Sequence, residues 1–201
     1  MFFALTSQKE FWDTGDEVLF SGNWCARHER RGDWAHLKHR TLANPWENLK
    51  RYHQAVAYCE ETVDRLLGPL TAYLNATLSV QHSKRYWRIL IGRWLAFYVQ
   101  EMYDHYAIVE DAFAANPDLK TVLLDRSCFQ VPKDTLDFIQ LSLKDTQHLQ
   151  IFSQFVAARG GAQGRKDGAL EKRRRENEQK RGRGAQGLGK QVQGRRRGRA
   201  R

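Results

Sequence analysis

The chain has 201 residues, 41% of them hydrophobic and 28% charged, with a formal net charge of +10 at pH 7. This length fits one domain, or one domain followed by a tail. The charge is uneven: residues 159–201 carry 16 Lys and Arg against 4 Asp and Glu, whereas residues 1–158 carry 17 against 19. The folded part is therefore nearly neutral, and only the tail argues for a nucleic-acid partner.

Cysteine usage and hydropathy exclude two further classes. The three cysteines are far apart and form no CxxC pair, so a disulfide-stapled secreted domain is excluded and a reducing compartment is favoured. The N-terminus lacks the basic start of a signal peptide. The longest apolar stretch, ILIGRWLAFYV, contains an arginine and is shorter than the roughly 20 residues that span a bilayer. We expect a cytoplasmic protein without a transmembrane segment.

The N-terminal third predicts one short strand and a long loop. DEVLFSGNWC indicates a buried strand at Val18–Phe20 that leaves through Ser21 and Gly22. Residues 26–45 are charged and irregular, which favours a loop with at most one helical turn.

Two long helices follow. Apolar residues at alternating spacings of three and four predict a helix packed along a partner, with this seam: Leu49, Tyr52, Val56, Cys59, Val63, Leu66, Leu70 and Tyr73. Asn44 is a candidate N-cap, and the unbroken phase through Gly68-Pro69 predicts a kink rather than an end. Ser83 caps a second helix that runs to about Ala115, ahead of a proline. That helix is apolar on several faces, so we expect it to be central and buried.

The last elements are shorter. LKTVLL at 119–124 predicts a second strand, and PKDTLDFIQLSLKD predicts a helix capped by Asp134 with these side chains inward: Leu136, Ile139, Leu143 and Phe138. QHLQIFSQFVA favours a further helix. The remaining residues lack the apolar area needed to offset the cost of ordering, so we expect them to be disordered. This gives a module at 1–157 and an Arg/Gly-rich tail at 158–201.

The second long helix also carries the main functional signal. His82, Arg85 and Arg88 concentrate positive charge at the start of a helix, where backbone N–H groups already attract anions. This pattern is typical of a phosphate or diphosphate site. The structural alternative is that these arginines pair with the chain's own carboxylates or extend to water.

The loop FSGNWC is the second candidate. Ligands bind at the carboxyl ends of strands in α/β folds, which makes Gly22, Asn23 and Trp24 candidate substrate contacts. A lone glycine after a strand is more often only a turn, and Trp24 more often packs than stacks on a ligand. Cys25 and the nearby histidines match no zinc pattern, so no metal or cofactor is expected.

Two alternatives concern the tail. It is similar to arginine/glycine-rich RNA-binding segments, which supports a nucleic-acid-binding adaptor. Its irregular Gly, Arg, Ala and Gln content is also typical of GC-rich DNA read out of frame, which would make the chain an inactive gene fragment.

Several motifs together resemble one family. EFWD…DEVLFSGNWC, HSKRYWRILIGRWLAFYVQEMYDHY and VPKDTLDFIQLSLKD look like the N-terminal part of a family of transferases from bacterial surface-polysaccharide and O-antigen gene clusters. The resemblance covers residues 4–157 and implies sugar transfer from a nucleotide-activated donor or to a phosphate-bearing acceptor. It also implies a mainly helical α/β fold similar to part of one lobe of a two-lobed glycosyltransferase. The Trp of a later family motif is absent from KDTQHLQ, and the catalytic residues stay unknown, with Asp104 and His82 as candidate bases.

Overall fold

The computed structural model describes residues 1–160 and the strand residues 165–166. The chain forms two compact units, one of residues 1–123 and 130–165 and one of residues 124–129 and 166–201. The described residues of the second unit are 124–129 and 166, and they include a single helical turn, Arg126–Cys128, capped by the Asp125 carboxylate, which accepts from the Ser127 N–H at 2.9 Å. Within the tail predicted at 158–201, residues 158–159 are helical and residues 165–166 form a strand. Most of the tail lies outside the described residues, so its disorder, nucleic-acid binding and out-of-frame origin stay predictions.

A small parallel sheet forms the centre of the first unit. Its strands β1 (Phe2–Ala4), β2 (Val18–Phe20) and β3 (His39–Thr41) lie in chain order, with Phe2 opposite Val18 and Val18 opposite His39. The chain returns at Lys120 to the free edge of β1, where Phe3 N–H donates to the Lys120 carbonyl at 2.7 Å. The described residues contain two further strands of two residues each, β4 (Val122–Leu123) and β5 (Arg165–Lys166).

The strand at Val18–Phe20 and the strand within 119–124 were predicted and are confirmed. Strand β1 was not predicted, because three apolar residues at a chain start carry no recognisable period. Strand β3 lies where a loop was expected. Its side chains are half-buried or exposed, so no apolar pattern marks it, and it is held by backbone pairing at the sheet edge.

Most of the described chain is helical, as predicted. The helices are α1 (Arg31–Trp34), α2 (Leu49–Leu78), α3 (Lys84–Ala115), α4 (Thr135–Ser142) and α5 (Asp145–Arg159). The predicted caps Ser83 and Asp134 are confirmed, each accepting a backbone N–H three residues ahead. The cap of α2 is Asn48 and not Asn44, because Asn44 lies outside the helix and accepts instead from the Trp46 N–H. The helix α2 continues through Pro69, as expected.

The seam predicted for α2 is only partly correct. Cys59 is buried and Val63 and Leu70 pack with it, but other seam members are exposed: Leu49, Tyr52, Leu66 and Tyr73. The buried line instead includes Ala55 and Leu67. An α-helix has 3.6 residues per turn, so a line spaced at 3.5 drifts by about 20° per heptad and turns away from a straight partner over seven turns.

The expectation that α3 is buried all round is wrong for its first half. Trp87, Leu95 and Val99 pack against α2, but the opposite side, including Ile89 and Leu90, is exposed. The second half of α3 is the central part, packing on α5 and on the sheet, where Phe113 meets Phe3 edge-on. No helix in residues 1–160 is long and apolar enough to cross a membrane.

The inward face predicted for α4 is correct for Phe138 and wrong for its other three members. Leu136, Ile139 and Leu143 are exposed, whereas Phe138 and Leu141 are buried. Phe138 packs against aromatic rings of α3 at centroid distances of 5.8–6.1 Å, and this contact sets the rotation of the helix. Eight residues contain too few turns for the apolar spacing alone to identify the inward side.

Candidate active site

The carboxyl ends of β1 and β2 lie side by side, because the two strands are parallel and in register. Ser7 follows β1 after three residues, and the loop Ser21–Cys25 follows β2 directly. Crevices outside this edge are the usual ligand sites of α/β sheets. The predicted loop therefore lies where a site is expected.

Gly22 allows Trp24 to fold back over the loop. A Cβ placed on Gly22 would lie 2.0–2.4 Å from the carbons of the Trp24 six-membered ring, which no real side chain tolerates. The indole is about one-third exposed, whereas Gly22 is buried beneath it. Asn23 is exposed and closes the turn, since its carbonyl accepts from the Ala26 N–H at 3.2 Å. The glycine thus fixes the position of an aromatic ring.

A cavity of about 210 Å³ opens beside this ring. It lies between the loop after β2, the middle of α3 and the start of α5, and its lining combines apolar side chains with convergent charged and imidazole groups: Trp24, Arg27, Asp104, His105, Leu143, Asp145, His148 and Phe152. A concave site with a few polar groups among apolar ones is the usual form of a small-molecule site.

Asp145 is held in place by groups from two strand ends. The Ser7 hydroxyl, which is fully buried, donates to Oδ2 of Asp145, and the Arg27 guanidinium lies 3.6 Å from Oδ1. Asp145 is the first residue of α5, where a carboxylate is stabilised by the helix N-terminus. Arg27 is half-exposed, so this cation faces solvent beside the cavity.

His105 and His148 form a hydrogen-bonded pair. Nδ1 of His105 lies 2.7 Å from the Glu101 carbonyl, and Nε2 of His105 lies 2.8 Å from Nδ1 of His148. A carbonyl only accepts, so Nδ1 of His105 carries the proton. In the neutral pair, Nε2 of His105 then accepts from Nδ1–H of His148. This assignment leaves the lone pair of His148 on Nε2.

The surroundings keep this pair neutral near pH 7. Burial lowers the pKa of His105 to about 4, against the opposing effect of the Glu101 carbonyl. Burial also lowers the pKa of His148, while the charges of Asp145 and Asp104 oppose that effect. A neutral imidazole flanked by two carboxylates can accept a proton and stabilise the resulting cation.

Two further acids lie on the same turns of α3. Oδ1 of Asp104 accepts from the Trp46 indole N–H, which orients this carboxylate at the cavity. Both carboxyl oxygens of Glu101 are buried, and neither has a hydrogen-bond partner among the residues that the structure describes. Burial, with a smaller contribution from the charge of Asp104, raises the pKa of Glu101 to about 7.

The predicted phosphate-binding group lies elsewhere. Arg88 pairs with Asp64 of α2 at 2.9 Å, and Arg85 is exposed. Arg85 and Arg88 precede Asp104 by 19 and 16 residues on one helix, which separates them by about 24–28 Å along its axis. The structure therefore places Trp24 at the cavity and these arginines away from it.

His82 is part of the connection between α2 and α3. Its backbone N–H and carbonyl bond the Asn75 side chain at 3.1 and 2.9 Å, and its ring stacks on Tyr86 at 3.9 Å. Of the two candidate bases named from the sequence, only Asp104 lines the cavity.

Sequence reasoning missed most polar side chains of the cavity, and also Ser7, which holds Asp145 from behind it: the missed lining residues are Arg27, His105, Asp145 and His148. A signal existed for His105, a polar residue in the aromatic run of α3 and next to Asp104. Asp145 and His148 stood in the segment KDTQHLQ, which was noted only for its missing Trp. Cys25 is buried in the core, and this burial raises the pKa of its thiol to about 12. Among the residues described, no three His, Cys, Asp or Glu side chains group as a metal site would require.

A family model described as LIC12162 family transferase matches residues 1–196. No curated protein and no solved structure matches significantly.

Proposed function

The chain belongs to the LIC12162 family of transferases, and from this premise we propose that it acts in sugar transfer during surface-polysaccharide (O-antigen) synthesis in the cytoplasm. The proposed donor is a nucleotide-activated sugar and the proposed acceptor is a hydroxyl group. The His105–His148 pair at the cavity is the observation that carries this proposal, because transfer of a sugar to a hydroxyl group is assisted by a base that is unprotonated at physiological pH. The module would form part of one lobe of a two-lobed enzyme.

In this mechanism His148 is the general base. Its Nε2 lone pair takes the proton of the acceptor hydroxyl while that oxygen attacks the anomeric carbon of the donor. The bond from that carbon to the phosphate oxygen breaks, and the nucleotide leaves with the electron pair. His105 fixes the tautomer of His148, and the carboxylates of Asp104 and Asp145 stabilise the imidazolium that forms.

The cavity also offers binding groups. Arg27 supplies a half-exposed cation for a phosphate, since its pairing with Asp145 is loose at 3.6 Å. Trp24 presents a ring on which a sugar or base can stack, and Gly22 and Asn23 shape the loop that carries it. A substrate contact for His82, Arg85 and Arg88 stays a prediction from the sequence.

The test uses the full chain with uridine-, guanosine-, cytidine- and thymidine-activated sugars as probes. Thermal shift measures binding, and release of free nucleotide measures turnover. With the donor that responds, His148→Gln is expected to lower turnover by about 10²–10⁴-fold while binding is kept. His36→Gln, an exposed histidine, is the matched control.

Two outcomes separate the parts of this proposal. No thermal shift with any donor would overturn the nucleotide-sugar assignment. A donor that binds and turns over equally fast in wild type and His148→Gln would overturn the role of His148 and leave the sugar transfer standing.

A further inference from the structure

The first half of α3 carries a one-sided charge. Residues 84–100 contain four cations, Lys84, Arg85, Arg88 and Arg93, and no Asp or Glu. Two of them contact Asp64 of α2: Lys84 donates to its backbone carbonyl, and Arg88 forms an ion pair with its carboxylate. Arg85 and Arg93 are exposed, and neither makes an ion pair within the part of the chain that the structure describes.

Large apolar side chains occupy the same side of the helix. The exposed fractions are 40% for Tyr86, 75% for Ile89, 58% for Leu90 and 45% for Phe97. At 100° per residue these four side chains fall within an arc of about 100°. Arg93 projects from the middle of this arc. We name this surface the α3 face: Arg85, Tyr86, Ile89, Leu90, Arg93 and Phe97.

The α3 face has the composition of a helix that lies on an anionic membrane. Such helices insert apolar and aromatic side chains at the headgroup level, while Arg and Lys extend to lipid phosphates. The opposite side of α3 packs against α2 through Trp87 and Leu95. The helix can therefore meet a membrane only with its axis parallel to the surface. From Tyr86 to Phe97 it is about 17 Å long, enough to contact several headgroups.

Charge distinguishes this occupant from a second copy of the chain. In a two-fold contact the same patch meets itself, so Arg93 would approach its own counterpart in an apolar setting without a carboxylate. A buried unpaired charge of that kind is strongly unfavourable. Anionic headgroups supply the missing negative charge instead.

We propose that the α3 face docks this protein on anionic lipid surfaces, with Ile89 and Leu90 inserted and Arg85 and Arg93 on lipid phosphates. Phe97 lies at the edge of this face, where its ring also contacts Phe138 of α4 at a centroid distance of 5.8 Å. Ile89 and Leu90 lie about 21–23 Å along α3 from Asp104 at the cavity, and docking does not depend on the chemistry there. It also gives the exposed arginines the phosphate partner that their sequence context predicts.

The test measures co-sedimentation of the full chain with phosphatidylcholine vesicles, with and without phosphatidylglycerol. The basic tail is present in every variant, so the decisive change leaves charge untouched. Ile89→Gln with Leu90→Gln is expected to weaken binding to the anionic vesicles by roughly tenfold or more. The matched control is Val131→Gln with Leu136→Gln, two similarly exposed residues outside the α3 face.

A second pair tests the charges. Arg85→Gln with Arg93→Gln is expected to weaken binding to anionic vesicles by about 25-fold, at roughly fivefold per arginine. Binding to neutral vesicles should be weak in all variants. Unchanged thermal melts would show that each variant is folded.

Three results would overturn the proposal. If the Ile89/Leu90 variant binds as wild type does, adsorption belongs to the tail. Equal binding to neutral and anionic vesicles would remove the role of the arginines. A dimer in solution that Leu90→Gln dissociates would make the face a contact between copies instead.

Discussion

Glu101 is an uncommon acid, because its carboxyl oxygens are buried beside the candidate site and find no hydrogen-bond partner in the described part of the chain. Burial raises its pKa to about 7. A raised pKa means that the folded state holds the proton more tightly than the unfolded state does. This residue therefore costs stability above about pH 7, and the cost disappears as the pH falls toward 4.5.

We predict that Glu101→Gln raises the free energy of unfolding more at pH 8 than at pH 5. The difference should be about 1–2 kcal/mol, reduced from the full linkage value because the group is only half-buried. Urea denaturation at the two pH values measures it. Glu60→Gln, an exposed control on α2, should give equal small changes at both. A Glu101→Gln effect independent of pH would show that the carboxylate is ionised at no cost.

We predict that replacing Gly22 destabilises the fold, and that the contact with the Trp24 ring is the sole reason. Its backbone does not need a positive φ, so the contact with the indole alone decides the outcome. Gly22→Ala should destabilise the fold by about 1–2 kcal/mol, as the ring must move. In a Trp24→Ala background the same change should cost almost nothing, which a double-mutant cycle measures.

A matched control for this cycle is Gly32→Ala in α1, where a Cβ would meet no atom within 4 Å outside the local backbone. There the added methyl group should stabilise the helix by up to about 1 kcal/mol. Equal costs of Gly22→Ala in both backgrounds would refute the proposed contact.

At the scale of elements, one side chain joins α2 to α3. The Asn75 amide donates to the His82 carbonyl at 2.9 Å, and its oxygen accepts from the His82 N–H at 3.1 Å and from the Trp87 indole at 2.9 Å. Trp87 is buried, so its N–H depends on this acceptor. The sequence predicted both helices but no feature of it singled out Asn75.

We predict that Asn75→Ala lowers the free energy of unfolding by about 2–3 kcal/mol, since three hydrogen bonds are lost and the Trp87 N–H is left buried and unpaired. Asn75→Asp should cost less, because a carboxylate still accepts both N–H groups. Chemical denaturation of the full chain measures the change. A cost no greater than that of the exposed neighbour Thr77→Ala would mean that water replaces the amide.

The elements themselves were predictable where their patterns were long. Helix α3 and its Ser83 cap follow from the sequence, because 32 residues contain nine turns of consistent signal. Which side of α3 is covered did not follow, since exposure of Ile89 and Leu90 depends on what else is present to pack there. Element type is encoded locally, whereas burial is a property of the assembled neighbours.

At the scale of the molecule, the site could not be predicted for a related reason. Ser7 and Asp145 are 138 residues apart, and His105 and His148 are 43 apart. The parallel register of β1 and β2 and the packing of α5 on α3 bring them together. The loop after β2 was found in advance, because a strand followed by small residues is a local signal, and Asp104 was named as a candidate base. The loop could be predicted because its signal is local, whereas the other cavity residues are far apart in the sequence and meet only in the folded chain.

The acid response of the whole chain tests this assembly, because the His105–His148 pair exists only when α3 and α5 are packed. Both pKa values are lowered, His105 to about 4, so the unfolded state binds protons that the folded state refuses. The stability contributed by the neutral pair is therefore fully present above about pH 6.5 and is lost as the pH falls toward 4.

Glu101 changes the stability in the opposite direction over the same pH range, so its removal in Glu101→Gln leaves the contribution of the two histidines to be measured. We predict that the free energy of unfolding of this variant falls by roughly 1–2 kcal/mol between pH 7 and pH 5, measured by urea denaturation. Imidazole proton resonances should show two histidines that titrate below the others. A flat profile in Glu101→Gln, with all histidines titrating together, would mean that the pair is open to water and that α5 is not packed against α3 there.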